Sequence, residues 1–192
     1  MRQPPLVALI AGLTAIALFA TPGRGTPPRA PLPEYLVKAA FLYHFVEFVD
    51  WPERSPLPRG TITIGVLGRD PFGDVLDKAV LGKTAAGRTL VIRRFASIET
   101  LEDCEILFVS ASEMPHLPAV LARLRDAAVL TVGEGDKFAR RGGMIGFFNE
   151  DNRVRLEVNR SASEKAGLRL SSKLLALARL VEADTAESRQ GR

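Results

Sequence analysis

The sequence predicts an α/β domain with a mainly parallel sheet and an antiparallel hairpin near its C-terminal end. Three patterns carry that prediction. Ile106-Leu107-Phe108-Val109 is a short unbroken apolar run and Ala128 to Val132 is another interrupted only by Thr131, which suits central strands covered on both faces. A helical segment lies between them, and strand, helix, strand spacing calls for parallel pairing through crossover helices. Further on, Val154, Leu156 and Val158 alternate with Arg153, Arg155 and Glu157, so that arm has one dry and one wet face.

The elements follow in order. Glu34 to Asp50 places Val37, Ala40, Phe41, Phe45, Phe48 and Val49 at a 3.6-residue period, which predicts an amphipathic helix. Trp51-Pro52 ends it, because the residue before a proline is pushed out of the helical region. Thr61 to Leu67 reads as a strand, Phe72 to about Val80 as a short helix, and Thr89 to Phe95 as a second strand. Glu105 to Ser110 and Ala128 to Val132 are the buried strands. The helix between them starts near Pro118 and carries Leu117, Val120, Leu121 and Leu124 on one side. Met144 to Phe148 and Val154 to Val158 flank the polar turn Asn149-Glu150-Asp151-Asn152 as a hairpin. A short helix from Ser161 to Ala166, a stop at Gly167, and a last helix from Ser171 to about Glu182 complete the chain. The inner stripe of that last helix is Leu174, Leu177, Ala178 and Val181.

Composition narrows the function classes. The chain has 192 residues, 46% apolar and 25% charged, with one Cys and two His. A single cysteine forbids an intrachain disulfide, and one Cys with two distant His is too few soft ligands for a structural zinc site, so no metal is expected; no cofactor is assigned either. The first 25 residues read as a secretory signal peptide: Arg2, an apolar run from Leu6 to Ala20, then a breaker-rich Thr21 to Gly25. That run is shorter than the roughly 20 residues a membrane-spanning helix needs. Residues 26–33 hold four prolines and read as an extended spacer, residues 34–183 as one α/β domain, and 184–192 as a flexible tail. The chain is therefore expected to be exported. Removing residues 1–25 takes away two of the 26 basic residues and none of the 22 acidic ones, lowering the net charge from +4 to +2. With no basic tract, a nucleic-acid partner is not expected.

Several residues are candidates for binding. Gly65 to Gly73 spans a strand-to-helix junction, where backbone amides hold an anion or where Asp70 caps the next helix. Phe138-Ala139-Arg140-Arg141-Gly142-Gly143 sets two guanidinium forks before a diglycine. Such forks suit carboxylate or phosphate partners and the glycines admit a second backbone; the alternative is a turn whose arginines pair with surface acids. Lys173 falls in the first turn of the last helix, where it opposes the helix dipole, so it serves either a partner or a neighbouring acid. Trp51, with Phe45 and Phe48, forms an apolar end to the first helix, either core or partner surface. His44, His116 and Cys104 belong to no nucleophile or metal-ligand signature, and no catalytic residue is assigned. The exposed edge of the hairpin would let two copies pair as a homodimer.

The order of segments resembles the YfiR family, also called the DUF4154 domain. The residues that carry the resemblance are Glu34 to Phe45, Trp51-Pro52, Ile64 to Gly68 with Asp70-Pro71-Phe72-Gly73, Cys104 to Ser110, Leu130 to Gly133, Phe138 to Ile145, and Ser171 to Leu175. The resemblance implies a periplasmic domain with a three-layer, Rossmann-like arrangement and no enzymatic activity. It further implies a regulator that docks on the sensor region of a transmembrane protein, a diguanylate cyclase or a histidine kinase, and represses it. An outer-membrane lipoprotein is the implied releasing partner. Some members form disulfides between paired cysteines, which the single Cys104 does not allow here. The other reading of the same residues is a sensory domain whose strand-end loops near Asp70, Gly133 and Arg140 enclose a small ligand.

Overall fold

The computed structural model describes residues 34–52, 60–85, 87–135 and 137–184. The expected signal peptide, the spacer and residues 185–192 of the tail lie outside the described residues.

Helix α1 spans Glu34–Phe48 and runs directly into a two-residue strand, β1 (Val49–Asp50). Strand β2 (Thr61–Leu67) leads through α2 (Asp74–Val80) to β3 (Thr84–Ala85) and β4 (Arg88–Phe95). Next come β5 (Ile106–Val109), a 3-10 turn over Ala111–His116, α3 (Leu117–Arg123) and β6 (Leu130–Glu134). The hairpin of β7 (Ile145–Glu150) and β8 (Arg153–Val158) precedes α4 (Arg160–Lys165), β9 (Arg169–Leu170), α5 (Ser172–Ala176) and β10 (Ala178–Leu180).

Eight strands form one sheet in the order β10-β8-β7-β6-β5-β2-β4-β3, and β1 pairs antiparallel with β9 in a separate ribbon. From β7 across to β4 the pairing is parallel, while β8 is antiparallel to β7. Side chains alternate between the faces of the sheet and so divide the core in two. Ile62, Ile64 and Val66 of β2, with Phe108 and Val132, meet Leu42 and Phe45 of α1 and Leu76 of α2 on one face. Leu67, Leu107 and Val109 meet Leu117 and Val120 of α3 on the other. This is the expected three-layer α/β arrangement.

Three details depart from the sequence reading. Helix α1 ends at Phe48 because Val49 and Asp50 are drawn into pairing with Leu170 and Arg169. Its buried positions are Lys38, Ala39, Leu42, Phe45 and Val46 rather than Val37 and Ala40. So many of its residues are apolar that periodicity alone does not fix which stripe faces inward. The last helix stops at Ala176, not near Glu182. Of its expected stripe, Leu174 and Val181 are buried, Ala178 is half-buried and Leu177 is 65% exposed. The outer strand of the hairpin would otherwise leave backbone donors and acceptors unpaired, and β10 satisfies them. The Val181 amide, for instance, donates to the Val158 carbonyl at 2.9 Å. That pairing also occupies the edge on which the homodimer expectation rests. The hairpin itself turns on Asp151 and Asn152 alone, both with positive φ (49° and 58°), as a two-residue turn of this hand requires.

The connection from β6 to β7 positions the residues that matter below. These strands are parallel neighbours, yet the described residues between them form no helix. The chain instead crosses the sheet as a tight turn, with Arg141 N–H donating to Lys137 O at 2.8 Å and Gly143 N–H to Phe138 O at 3.1 Å. Phe138 is 1% exposed, and its ring is wedged between Gly133, against its Cδ2–Cε2 edge, and Gly143, against its Cδ1–Cε1 edge. A Cβ on Gly133 would stand 2.3 Å from the ring, and one on Gly143 would stand 2.1 Å from it. The diglycine therefore admits a phenyl ring of the same turn, not a second backbone.

Replacing Gly133 by Ala should lower stability by about 2–3 kcal/mol, as overpacking of a filled core does. Gly60→Ala, where no described atom lies within 4 Å of the added carbon, should leave the urea midpoint nearly unchanged. Equal midpoints for the two variants would contradict this account of the crossover.

Candidate functional site

The β6–β7 ladder ends with Glu134 opposite Phe147, and β7 runs on to Glu150. The step between them opens a cleft of about 700 Å³ at the C-terminal end of β6. One end is walled by the first turn of α1, the other by the crossover turn and the β8 and β10 residues Glu157 and Arg179. Ligand sites of open α/β sheets form at such strand ends.

At the α1 end, Lys38 is 3% exposed on the inward stripe of the helix. Its Nζ lies 2.5 Å from Glu134 Oε2 and 2.5 Å from Glu34 Oε1, one helical turn back. It also stands 4.6 Å from the Tyr35 ring centre, a cation–π contact. The Tyr35 hydroxyl donates to Glu134 Oε2 at 3.2 Å, and the Asn149 amide to Glu34 at 3.1 Å. Burial alone would pull the Lys38 ammonium down, but the two carboxylates outweigh it and hold the group above its ordinary value of 10.5. The hydrogen bond from Lys38 holds Glu34 below its ordinary 4.5. A raised lysine contributes stability that is lost as pH rises through its folded value, and a depressed carboxylate contributes stability lost as pH falls through its own. Both losses lie outside the range 4.5 to 10.5, so this network is a fixed tie between α1 and β6 across neutral pH.

At the other end the groups are arginines on an exposed sheet face. The Arg140 guanidinium lies 3.9 Å from Glu157, and Arg179 lies 2.7 Å from Glu150 and 3.7 Å from Glu157. Arg179 also sits 4.6 Å from the Phe148 ring. Asn159 fixes the crossover turn from below by donating to Ala139 O at 3.0 Å.

Of the residues singled out in the sequence, Arg140 lines this cleft. Arg141 projects from the same turn and donates to the Met114 carbonyl at 2.9 Å, a tie to the turn ahead of α3. Asp70 serves its own loop: it accepts from Phe72 N–H at 2.7 Å and takes Arg94 Nε at 2.7 Å. That junction offers little room for an anion, since a Cβ at Gly68 would already lie 2.5 Å from Ser112 Oγ. Trp51 packs against the main core beyond β1, and its buried indole N–H has no partner among the described residues. Lys173 is exposed on α5 and has no ion-pair partner among the described residues. The structure does not gather Asp70, Trp51 and Lys173 at the cleft. Conversely, Lys38 and Glu134 escaped the sequence reading. Their signals were a cation four residues after Glu34 in an almost wholly apolar helix, and an acid closing the apolar run of β6.

Among the described residues, no group of three or more His, Cys, Asp or Glu could hold a metal ion, and no helix is long and apolar enough to cross a membrane. Cys104 is buried, and burial pushes its thiol up to about 12.

A family model described as YfiR/HmsC-like matches residues 35–179. No curated protein matches the chain. Among solved structures it is similar to the ABC domain in complex with L-Trp from Streptococcus pneumonia, with 11% identity and a TM-score of 0.47. That match covers 62% of this chain and 55% of the other, so the chain spans about half the length of that structure.

Lys38→Met should cost about 3 kcal/mol in urea unfolding, because it strands the Glu134 carboxylate against the core. Adding Glu134→Gln should restore at least half of the loss; strictly additive losses would mean that the pair is not coupled. Iodoacetamide at pH 8 should leave Cys104 unmodified in the folded protein and alkylate it within minutes in 8 M urea, as followed by mass.

Proposed function

The chain belongs to the YfiR/HmsC-like family, and from that premise we propose that it is a periplasmic regulatory binding protein that represses a transmembrane signalling protein. The target in this reading is a diguanylate cyclase, held inactive by docking on the periplasmic part of its sensor, with an outer-membrane lipoprotein as the releasing partner. The family match over residues 35–179 supports the class of function. The observation that carries the docking is the open arginine face beside the crossover turn, where the Arg140 and Arg179 side chains are 39% and 50% exposed. Lys38, Glu134 and Glu34, at the other end of the cleft, satisfy one another and serve structure. Repression in this scheme needs no bond-making. It needs a higher affinity for the inactive state of the receptor than for the active one. We assign the protein no cofactor.

A second reading, a small-ligand-binding sensory domain, has the cleft itself in its favour, since about 700 Å³ lies within the range of small-molecule sites. The two readings differ in where affinity resides.

The test is a cross-linking capture of the tagged protein from native membranes, with identification by mass spectrometry. The expected result is one transmembrane cyclase or kinase, lost when Arg140 and Arg141 are both replaced by Glu while the thermal midpoint falls by no more than a few degrees. Capture undiminished in that variant would refute the assignment of these arginines. Recovery of abundant envelope proteins alone would favour the small-ligand reading.

A further inference from the structure

Strand register collects an unusual set of side chains on one face at the hairpin end of the sheet. Phe148 stands opposite Arg155 and Glu150 opposite Arg153, and across the next ladder Arg179 stands opposite Glu157. Directly paired residues share a face, so all six point the same way. Arg140 reaches the same face from the crossover turn, and Lys137, with φ of 63°, lies on the rim of the trough between them.

Among the described residues, the paired strand positions and the crossover turn thus set five cations against the two carboxylates of Glu150 and Glu157. Glu150 already receives Arg179 at 2.7 Å and Arg155 at 3.7 Å, and Glu157 receives Arg179 at 3.7 Å and Arg140 at 3.9 Å. A guanidinium carries five N–H donors in a planar fork, so two shared carboxylates leave most donors of Arg140, Arg155 and Arg179 turned to solvent. The half-buried Phe148 ring adds an apolar floor under Arg179.

We propose that this arginine face binds an acidic peptide segment of the protein's partner, laid along the trough between the crossover turn and β10. The proposal rests on the docking reading above and names the chemistry that the partner must present. From Arg153 to Glu157 the strand advances roughly 13 Å, room for about four extended residues. A peptide fits the face better than a lipid headgroup or a bare polyanion. Its carboxylates meet the guanidiniums bidentately, while its backbone N–H groups answer Glu157, which is only 14% exposed at the floor and repels any ligand made solely of acceptors. A flat bilayer would touch the rim at Lys137 before it reached the trough.

The experiment uses the purified protein and two fluorescein-labelled octapeptides, all-Glu and all-Gln, followed by fluorescence anisotropy at 50 and 300 mM salt. The all-Glu peptide should bind and the all-Gln peptide should not. Affinity for all-Glu should fall at least tenfold in Arg155→Gln/Arg179→Gln and rise several-fold in Glu150→Gln, which removes a competing carboxylate. A structural role for Glu150 would give the opposite sign. No binding of all-Glu, unchanged affinity in the double variant, or weaker binding in Glu150→Gln overturns the proposal. So does arginine-dependent sedimentation with phosphatidylglycerol vesicles in place of peptide binding, which would make the occupant a membrane. A dimer in analytical ultracentrifugation that the double variant abolishes would make the occupant a second copy and overturn the proposal equally. The membrane capture separates the two levels. Capture of a signalling protein that survives the double variant removes the arginine face but leaves the docking reading, whereas peptide binding without any captured signalling protein does the reverse.

Discussion

The wedging of the Phe138 ring between Gly133 and Gly143 is the constraint from which the rest of the site is built. A parallel pair normally needs a crossover of a dozen or more residues, with a helix to cover the sheet. Here the chain returns within a turn, and a single phenyl ring does the covering, which it can do because Gly133 and Gly143 carry no side chain. The short return sets Arg140 and Arg141 beside the open face of β8 and β10, where a covering helix would otherwise lie. Glu134, two residues on from Val132, faces the opposite side of the sheet from Phe138, where Lys38 of α1 reaches it.

The charges of the cleft divide by burial. Lys38 is enclosed, paired with the buried Glu134 and the more exposed Glu34 and set over the Tyr35 ring, so it ties α1 to the sheet. The arginines sit in water at half exposure, where ion pairs with Glu150 and Glu157 contribute little to stability and are readily exchanged for a better partner. One cleft thus holds a structural end and a binding end, and the distinction rests on dielectric surroundings more than on residue type.

The central strands were legible because each is an apolar run too short for a helix and bounded by turn residues: β2, β5 and β6 fall within two residues of their sequence-derived spans. The hairpin was equally legible, since Val154 to Val158 alternate strictly. What failed was decided by pairing at a distance. Ala178 to Leu180 has helical spacing in isolation, and only the open edge of β8 makes it a strand. Val49 and Asp50 likewise answer to Arg169 and Leu170, 119 to 121 residues along the chain. For the site, Arg140 was found because paired arginines beside glycines are conspicuous. Lys38 was missed because its meaning depends on Glu134, and Trp51 and Asp70 proved to face their own neighbourhood.

Strand β10 carries one further implication. An alternating hairpin strand with a bare edge is a template for runaway pairing between molecules, and nature commonly guards such edges with charge, bulges or a cover. Here the cover is three residues long and lies just before the C-terminal end of the described chain. A protease cut after Ala176 would leave the central strands and Glu157 in place, yet it would take Arg179 out of the cleft and uncover β8. These three residues thus act as an aggregation guard, and the integrity of this short segment governs how long the molecule stays dispersed.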